Sequence, residues 1–348
     1  MTLKQFAEDL GLSPSTVSRT LNQDSKLTVS DATRNRILEY ALETGYTQRS
    51  YKSKKRVMNN RKTRITYVST APIDGIGENP FTRILYGVRQ ELATRGQRMD
   101  GGYTTEELED SAVMIDLLNS ADIEGIVMIG PVPYDQYVRI SQKKKVVMAP
   151  LDFYDDVDCV TTEMDKATYK LTTAMIENGH RSIAYIGGFI DWDERLFGHN
   201  DLRLHGYLKA LLDNHIPINR DIIKPIDWSI EMAYQVMQDM LNGKEPVTAV
   251  IAASDDIALG AINAILSRGF EIPKDFSISG FDNLRMSEYL TPPLTTVDYY
   301  HEDIGAEAVR LLFERMASER KIRKKIVLPV NIIQRGSIAS INAPPTDK

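Results

Sequence analysis

From Ile65 onward the chain alternates short apolar runs with longer segments of helical period, and this alternation limits the possible folds more than any other feature. Ile65-Thr66-Tyr67-Val68, Gly125-Ile126-Val127-Met128-Ile129 and Val146-Val147-Met148-Ala149 read as buried strands. So do Ser182-Ile183-Ala184-Tyr185-Ile186, Val247-Thr248-Ala249-Val250-Ile251 and Phe276-Ser277-Ile278-Ser279. Helices are predicted over residues 81–95, 165–178, 202–214, 231–242 and 255–268, the first two stopped by Gly96 and Gly179. Strands that are apolar along their whole length are covered on both faces, which implies an α/β fold with parallel sheets. Roughly 280 residues are too many for one such sheet, so two doubly wound lobes are expected. The alternation breaks near residues 159–163 and again near 291–298, where Pro292-Pro293 falls. Two such crossings suggest hinged lobes with a ligand in the cleft outside the strand ends.

Several function classes drop out on composition. No run approaches the ~18 apolar residues of a membrane-spanning helix. The first residues, Met1-Thr2-Leu3-Lys4-Gln5-Phe6, form no apolar leader, so a cytoplasmic protein is expected. The single cysteine, Cys159, excludes an internal disulfide and a cysteine-based zinc site. Five scattered histidines show no His-x-x-x-His spacing, and no Gly-x-Gly-x-x-Gly or P-loop follows a strand. Neither a metal nor a cofactor is therefore expected. Gly187-Gly188 reads as a tight turn before a loop, with only a weak phosphate-loop cue.

The net charge of −6 hides an asymmetry. Residues 1–64 hold 13 basic and 6 acidic side chains, against 29 and 42 in the remainder. A basic head on an acidic body implies that the head meets a polyanion. Within the head, Thr2-Leu3-Lys4-Gln5 has the form of a capping box, and Leu3, Phe6, Ala7 and Leu10 give one apolar helix face before Gly11. Ser13-Pro14 starts a second helix, predicted over residues 14–22. Ser30-Asp31 caps a third, which stops at Gly45. Two helices joined by a short glycine turn make a helix-turn-helix, whose second helix enters the major groove. That helix carries Pro14, Ser15, Thr16, Ser18 and Arg19. Short hydroxyls can bond phosphate or base, and arginine reaches guanine. Next comes an acid-free basic run of Arg49, Lys52, Lys54, Lys55, Arg56, Arg61, Lys62 and Arg64. Such an arm releases counterions from DNA phosphates.

The stretch Leu3 to Asn22, and within it Ser13-x-x-Thr16-Val17-Ser18-Arg19-x-x-Asn22, closely resembles the N-terminal motif of LacI/GalR-family transcriptional repressors. The resemblance continues through Asn178-Gly179-His180-Arg181, Arg203-Leu204-x-Gly206-Tyr207, Ala253-Ser254-Asp255-Asp256, Ser279-Gly280-Phe281-Asp282-Asn283 and Pro292-Pro293-Leu294-Thr295-Thr296. It implies a three-helix helix-turn-helix headpiece at 1–46 and a basic hinge linker at 47–63. A two-lobed periplasmic-binding-protein-like domain would follow, with one lobe at 64–160 and 298–326 and the other at 161–297 and 327–340. By the same resemblance Pro14, Ser15 and Arg19 read bases, while Thr16, Ser18 and Asn22 support phosphate contacts; Ser13 is expected among the DNA-binding residues, as are Arg49, Lys52, Lys55 and Arg56 of the basic linker. The family's hinge helix wedges a leucine into the minor groove, but no leucine stands near Lys55 in this chain.

For a sugar effector a site needs carboxylates, arginine forks and an aromatic platform. Arg203, Ser254, Asp282 and Asp152 fall at strand or helix ends, with Phe81 and Trp228 as the aromatic candidates. The resemblance places Arg203, Ser254 and Asp282 on the family's main sugar-binding positions, and Trp228 on an aromatic position of lactose-type members. Asp255 is read as a helix N-cap, and His180 and His205 as structural. The implied function is a homodimeric repressor of a sugar-utilisation operon, bound to double-stranded operator DNA and controlled by a small sugar, with galactose or a galactoside favoured. It would not be an enzyme. One alternative is a hydrolase or isomerase with an incidental DNA-binding head, its paired carboxylates being Asp255 and Asp282. Another is an architectural DNA binder with no ligand.

Overall fold

The computed structural model describes residues 1–21, 27, 29–46, 64–70, 73, 79–99, 101–150, 154, 156–188, 201–243 and 245–341. The chain divides into two compact units. The first takes in the described residues up to 73 together with Phe81–Thr161 and Glu302–Ile326. The second takes in the described residues of Thr162–His301 and Val327–Lys348.

The head opens the first unit with α1 (Leu3–Asp9), α2 (Pro14–Leu21) and α3 (Asp31–Thr44). The Thr2 capping box forms: its side chain accepts from the Gln5 N–H, and the Gln5 side chain accepts from the Thr2 N–H at 2.9 Å. Ser13 Oγ accepts from the Thr16 N–H at 3.0 Å and so caps α2. Ser30 caps α3, and Gly45 closes it in the left-handed conformation at φ 60°. Phe6, Val17, Leu21, Ile37, Leu38 and Ala41 make the core of the head. Two rings finish it, Tyr40 edge-on to Phe6 at 5.0 Å and Tyr46 at 4.7 Å.

Beyond the head the chain runs β1 (Arg64–Ser69), α4 (Pro80–Thr94), β2 (Tyr103–Thr104) and α5 (Ser111–Asn119). Next come β3 (Ile123–Ile129), α6 (Tyr134–Ser141), β4 (Lys145–Ala149) and β5 (Asp158–Thr162). β2, β1, β3, β4 and β5 pair in that order, each neighbour parallel. Most residues of β1, β3 and β4 are buried, because α/β crossovers cover both faces of the sheet.

The second unit starts with α7 (Met164–Glu177), β6 (Ile183–Gly187), α8 (Leu202–Asp213) and β7 (Ile223–Pro225). It continues through α9 (Ile230–Asn242), β8 (Ala249–Ala252), α10 (Asp255–Ser267), β9 (Ser277–Ser279) and β10 (Thr296–Asp298). The chain then returns to the first unit with α11 (His301–Ala317) and β11 (Lys325–Leu328), and ends its regular structure at β12 (Asn331–Ile333). β7-β6-β8-β9 is a parallel sheet, with every residue of β6 and β8 buried. β10 and β12 form a separate antiparallel pair.

Helices in the second unit approach closely at glycines. A Cβ on Gly206 of α8 would stand 2.0 Å from the Asp165 carbonyl oxygen of α7, and one on Gly260 of α10 would stand 2.3 Å from that of Ile230 in α9. His180 is structural, as expected: its buried ring bonds Thr248 Oγ1 at 3.0 Å and Ser277 Oγ at 2.9 Å.

Candidate functional sites

In the head, Pro14 and Ser15 are exposed on α2, while Thr16, Ser18 and Arg19 are half-buried. Val17, Thr20 and Leu21 form the buried side of that helix. Ser13 and Thr16 hydroxyls lie 2.8 Å apart, so both help to fix the turn. Asn22, Arg49, Lys52, Lys55 and Arg56 lie outside the described residues.

In the second unit three helices begin at site residues. Asp201 caps α8 by accepting from the Arg203 N–H, Ser229 caps α9 directly after Trp228, and Ser254 caps α10 by accepting from the Ile257 N–H. Arg203, Trp228, Ser254 and Asp282 thereby come together. Arg203 is only 8% exposed. Its Nε donates to Asp201 Oδ1 at 2.8 Å, its Nη2 to Asp201 Oδ2, and its Nη1 to the Ala253 carbonyl at 2.5 Å. The guanidinium carbon lies 4.7 Å from the Trp228 ring centroid and 5.2 Å from that of Phe281. Arg203 was expected as a fork for a sugar; in the structure Asp201 already holds two of its nitrogens. Burial raises the Asp201 pKa, but the Arg203 guanidinium and its hydrogen bonds more than offset that and hold the carboxylate below its usual range.

Asp282 is 4% exposed and sits at φ 103°, a backbone region that costs a non-glycine residue strain. Burial pushes its carboxyl well above the usual range, although Arg203 pulls the other way. Trp228, also at positive φ, is 47% exposed although the Arg203 guanidinium lies over its ring. A Cβ on Gly188 would stand 2.4 Å from the Trp228 ring, and one on Gly187 2.5 Å from the Tyr185 ring. Gly187-Gly188 is thus where two aromatic rings meet the backbone.

Asp255 is not the N-cap of α10; Ser254 is. The Asp255 carboxyl instead accepts from the Leu284 N–H at 2.7 Å and from the Thr296 hydroxyl at 2.6 Å. It packs where a Cβ on Gly280 would stand only 2.1 Å away. Asp255 is a strut under the loop that presents Asp282, and this use of its oxygens removes it as half of a hydrolytic pair. Arg335 braces the same loop, donating to Asn283 Oδ1 at 2.9 Å and to the Leu294 carbonyl at 2.7 Å. Sequence reasoning missed Asp201, Phe281, Thr296 and Arg335. Asp201, two residues before Arg203, offered a signal as a possible cap; the others are brought in from far along the chain.

Phe81 stands in the first turn of α4 in the first unit, where its ring is 3.1 Å from the position of a Cβ on Gly130. Asp152 lies outside the described residues. Among the described residues no group of His, Cys, Asp and Glu side chains could hold a metal ion, and no helix is long and apolar enough to cross a membrane.

Residues 2–48 match the family model of bacterial regulatory proteins of the lacI family, and residues 172–338 match the periplasmic binding protein-like domain. The HTH-type transcriptional repressor CytR of Escherichia coli (strain K12) is 29% identical over 343 residues, covering 98% of this chain and 97% of its own. The HTH-type transcriptional repressor PurR of Erwinia tasmaniensis is 29% identical over 344 residues, covering 97% of each. Among solved structures, a complex of the transcriptional regulator CelR with cellobiose superposes with a TM-score of 0.72 at 26% identity, covering 97% of this chain and 99% of that one. None of the three is named as a galactose-operon repressor. A helix-turn-helix head, a body of two parallel-sheet units and relatives matched from end to end make the chain similar along its whole length to bacterial transcriptional regulators of the lacI family.

Proposed function

We propose that this protein is a transcriptional repressor whose grip on double-stranded operator DNA is set by a small polyhydroxylated ligand bound at the Arg203–Trp228–Asp282 cluster. The observation that carries this reading is one chain holding both a capped helix-turn-helix, with Pro14 and Ser15 exposed on its second helix, and a buried polar cluster beside a half-exposed tryptophan. In this reading Pro14, Ser15 and Arg19 touch base edges, Thr16, Ser18 and Asn22 support phosphate binding, and Ser13 caps the helix at the DNA-binding turn. Two chains act together on a near-palindromic site. Arg49, Lys52, Lys55 and Arg56 follow the backbone of the duplex.

Family likeness supports a sugar as the effector class, and the cellobiose bound by the CelR regulator is in keeping with it. Galactose and galactosides are the first probes. Linkage requires the ligand to favour one conformation that DNA also reads, typically with a coupling of ~1–3 kcal/mol. The test is selection of bound duplexes from a random pool, followed by affinity measurements with and without each sugar. A near-palindromic consensus, and a roughly 5–150-fold change in affinity with one sugar, is expected on that coupling. Failure to select any duplex, or turnover of the added sugar, overturns the reading.

A further inference from the structure

We propose that Asp201 is a specificity-determining residue that commits the Arg203 cluster to uncharged ligands and turns away sugar acids and phosphorylated ligands. The inference rests on reading the second unit as the effector-binding lobe.

A buried arginine would ordinarily be the natural anchor for a carboxylate or phosphate, because its planar fork matches two oxygens at once. Here that fork is already engaged. Asp201 Oδ1 takes Nε at 2.8 Å, Oδ2 takes Nη2, and the Ala253 carbonyl takes Nη1 at 2.5 Å. Two aromatic rings crowd the guanidinium as well, Trp228 at 4.7 Å and Phe281 at 5.2 Å. Side-chain exposures of 10% for Arg203 and 17% for Asp201 show that the pair is shielded from water, where its mutual attraction is strong.

An incoming anion therefore meets a cation whose charge is compensated. It also meets Asp282, whose buried carboxyl already resists ionisation and would resist it further beside a second negative charge. A neutral polyol meets no such penalty. Its hydroxyls can bond the Asp282 carboxyl in either protonation state, and its C–H face can lie on Trp228. Position 201 is well placed to act as the switch, because the same side chain caps α8 through the Arg203 N–H at 2.9 Å. Asparagine there can keep the cap while giving up the charge.

The experiment uses the full-length protein and matched probe pairs: galactose with galacturonate, glucose with glucose 6-phosphate, and cytidine with cytidine 5′-monophosphate. Binding is read by titration calorimetry for wild type and Asp201→Asn, with circular dichroism melting to establish folding. In wild type the neutral member of any binding pair is expected to be at least tenfold tighter. In Asp201→Asn the preference should shrink at least tenfold, as the acid gains an uncompensated Arg203. Should Asp201→Asn fail to fold, Asp201→Ser supplies the same comparison, since serine also caps. Tighter binding of an acid by wild type, or a preference unchanged within twofold in the folded variant, overturns the role given to Asp201 alone. No binding by any probe overturns the effector-lobe reading and this inference with it.

Discussion

Asp255 has no exposed surface, and burial pushes its pKa up to about 7 despite hydrogen bonds from the Thr296 hydroxyl and the Leu284 N–H. Arg335 draws it down and Asp256 lifts it, and Asp282 stands close enough to feel its charge. In the unfolded chain an aspartate titrates near ~3.9. The folded value is the higher one, so this group's contribution to stability is complete below that unfolded value and is lost as pH rises through about 7. His180 works in the other direction: burial lowers its pKa, so its contribution is lost on acidification. The comparison of Asp255→Asn with wild type isolates the first effect. Between pH 5 and pH 8 the wild type should lose on the order of 2–4 kcal/mol relative to the variant, which urea unfolding at each pH will show. Parallel profiles would remove Asp255 as the titrating group. Asp201 and Arg203 call for a double-mutant cycle. Arg203→Met strands a shielded carboxylate and should cost roughly 3–5 kcal/mol, whereas adding Asp201→Asn should restore at least ~1 kcal/mol of that. Additive costs in the same urea assay would show that the pair is not coupled.

At the scale of helices and strands, the packing of α7 on α8 depends on Gly206, where any Cβ would meet the Asp165 carbonyl oxygen at 2.0 Å. Backbone cannot swing aside as a side-chain tip can, so Gly206→Ala should destabilise the protein by roughly 1–3 kcal/mol, read as a lower denaturation midpoint with an unchanged slope. A neutral result would mean that the two helices slide apart without cost. β6 and β8 were legible in the sequence because residues apolar on both faces suit a covered parallel sheet. α1 and α3 were legible from their caps, Thr2 and Ser30. By contrast β7, β9 and β10 are three residues each, too short to show a period, and of these only β9 sat inside a visible apolar run. Helices α5, α6 and α11 went unread. The polar cluster divides in the same way. Arg203, Ser254 and Asp282 stood out at element ends, but Asp201 pairs with Arg203 at a spacing of two, which is not a helix-face spacing. The Asp255 strut joins positions 29 and 41 residues apart, and no local pattern carries such a pairing.

For the whole molecule, charge is divided along the chain: residues 1–64 carry 13 basic against 6 acidic side chains, while the remainder is acidic and gives the chain its net −6. An acidic body is repelled by DNA, so non-specific attraction must come from the head and linker, and it must weaken steeply with salt. The logarithm of the association constant should fall linearly with that of salt concentration, with a slope of about −0.9 for each phosphate neutralised. Replacing Arg49, Lys52, Lys55 and Arg56 together by glutamine should make that slope shallower by up to ~0.9 for each phosphate left without its cation, on both chains of a dimer, and should weaken all duplexes alike. Arg19→Ala should behave differently. A base-reading arginine contributes discrimination of ~1–3 kcal/mol at one position of each half-site, so its removal should relax the consensus there while moving the salt slope by little. Fluorescence anisotropy across 50–300 mM salt, on the selected duplex and on one scrambled in each half-site, separates these outcomes. A linker variant that keeps the wild-type slope would show that the arm does not follow the phosphates. An Arg19 variant that weakens both duplexes equally would make that side chain a ligand of the DNA backbone, and base reading would then fall to Pro14 and Ser15.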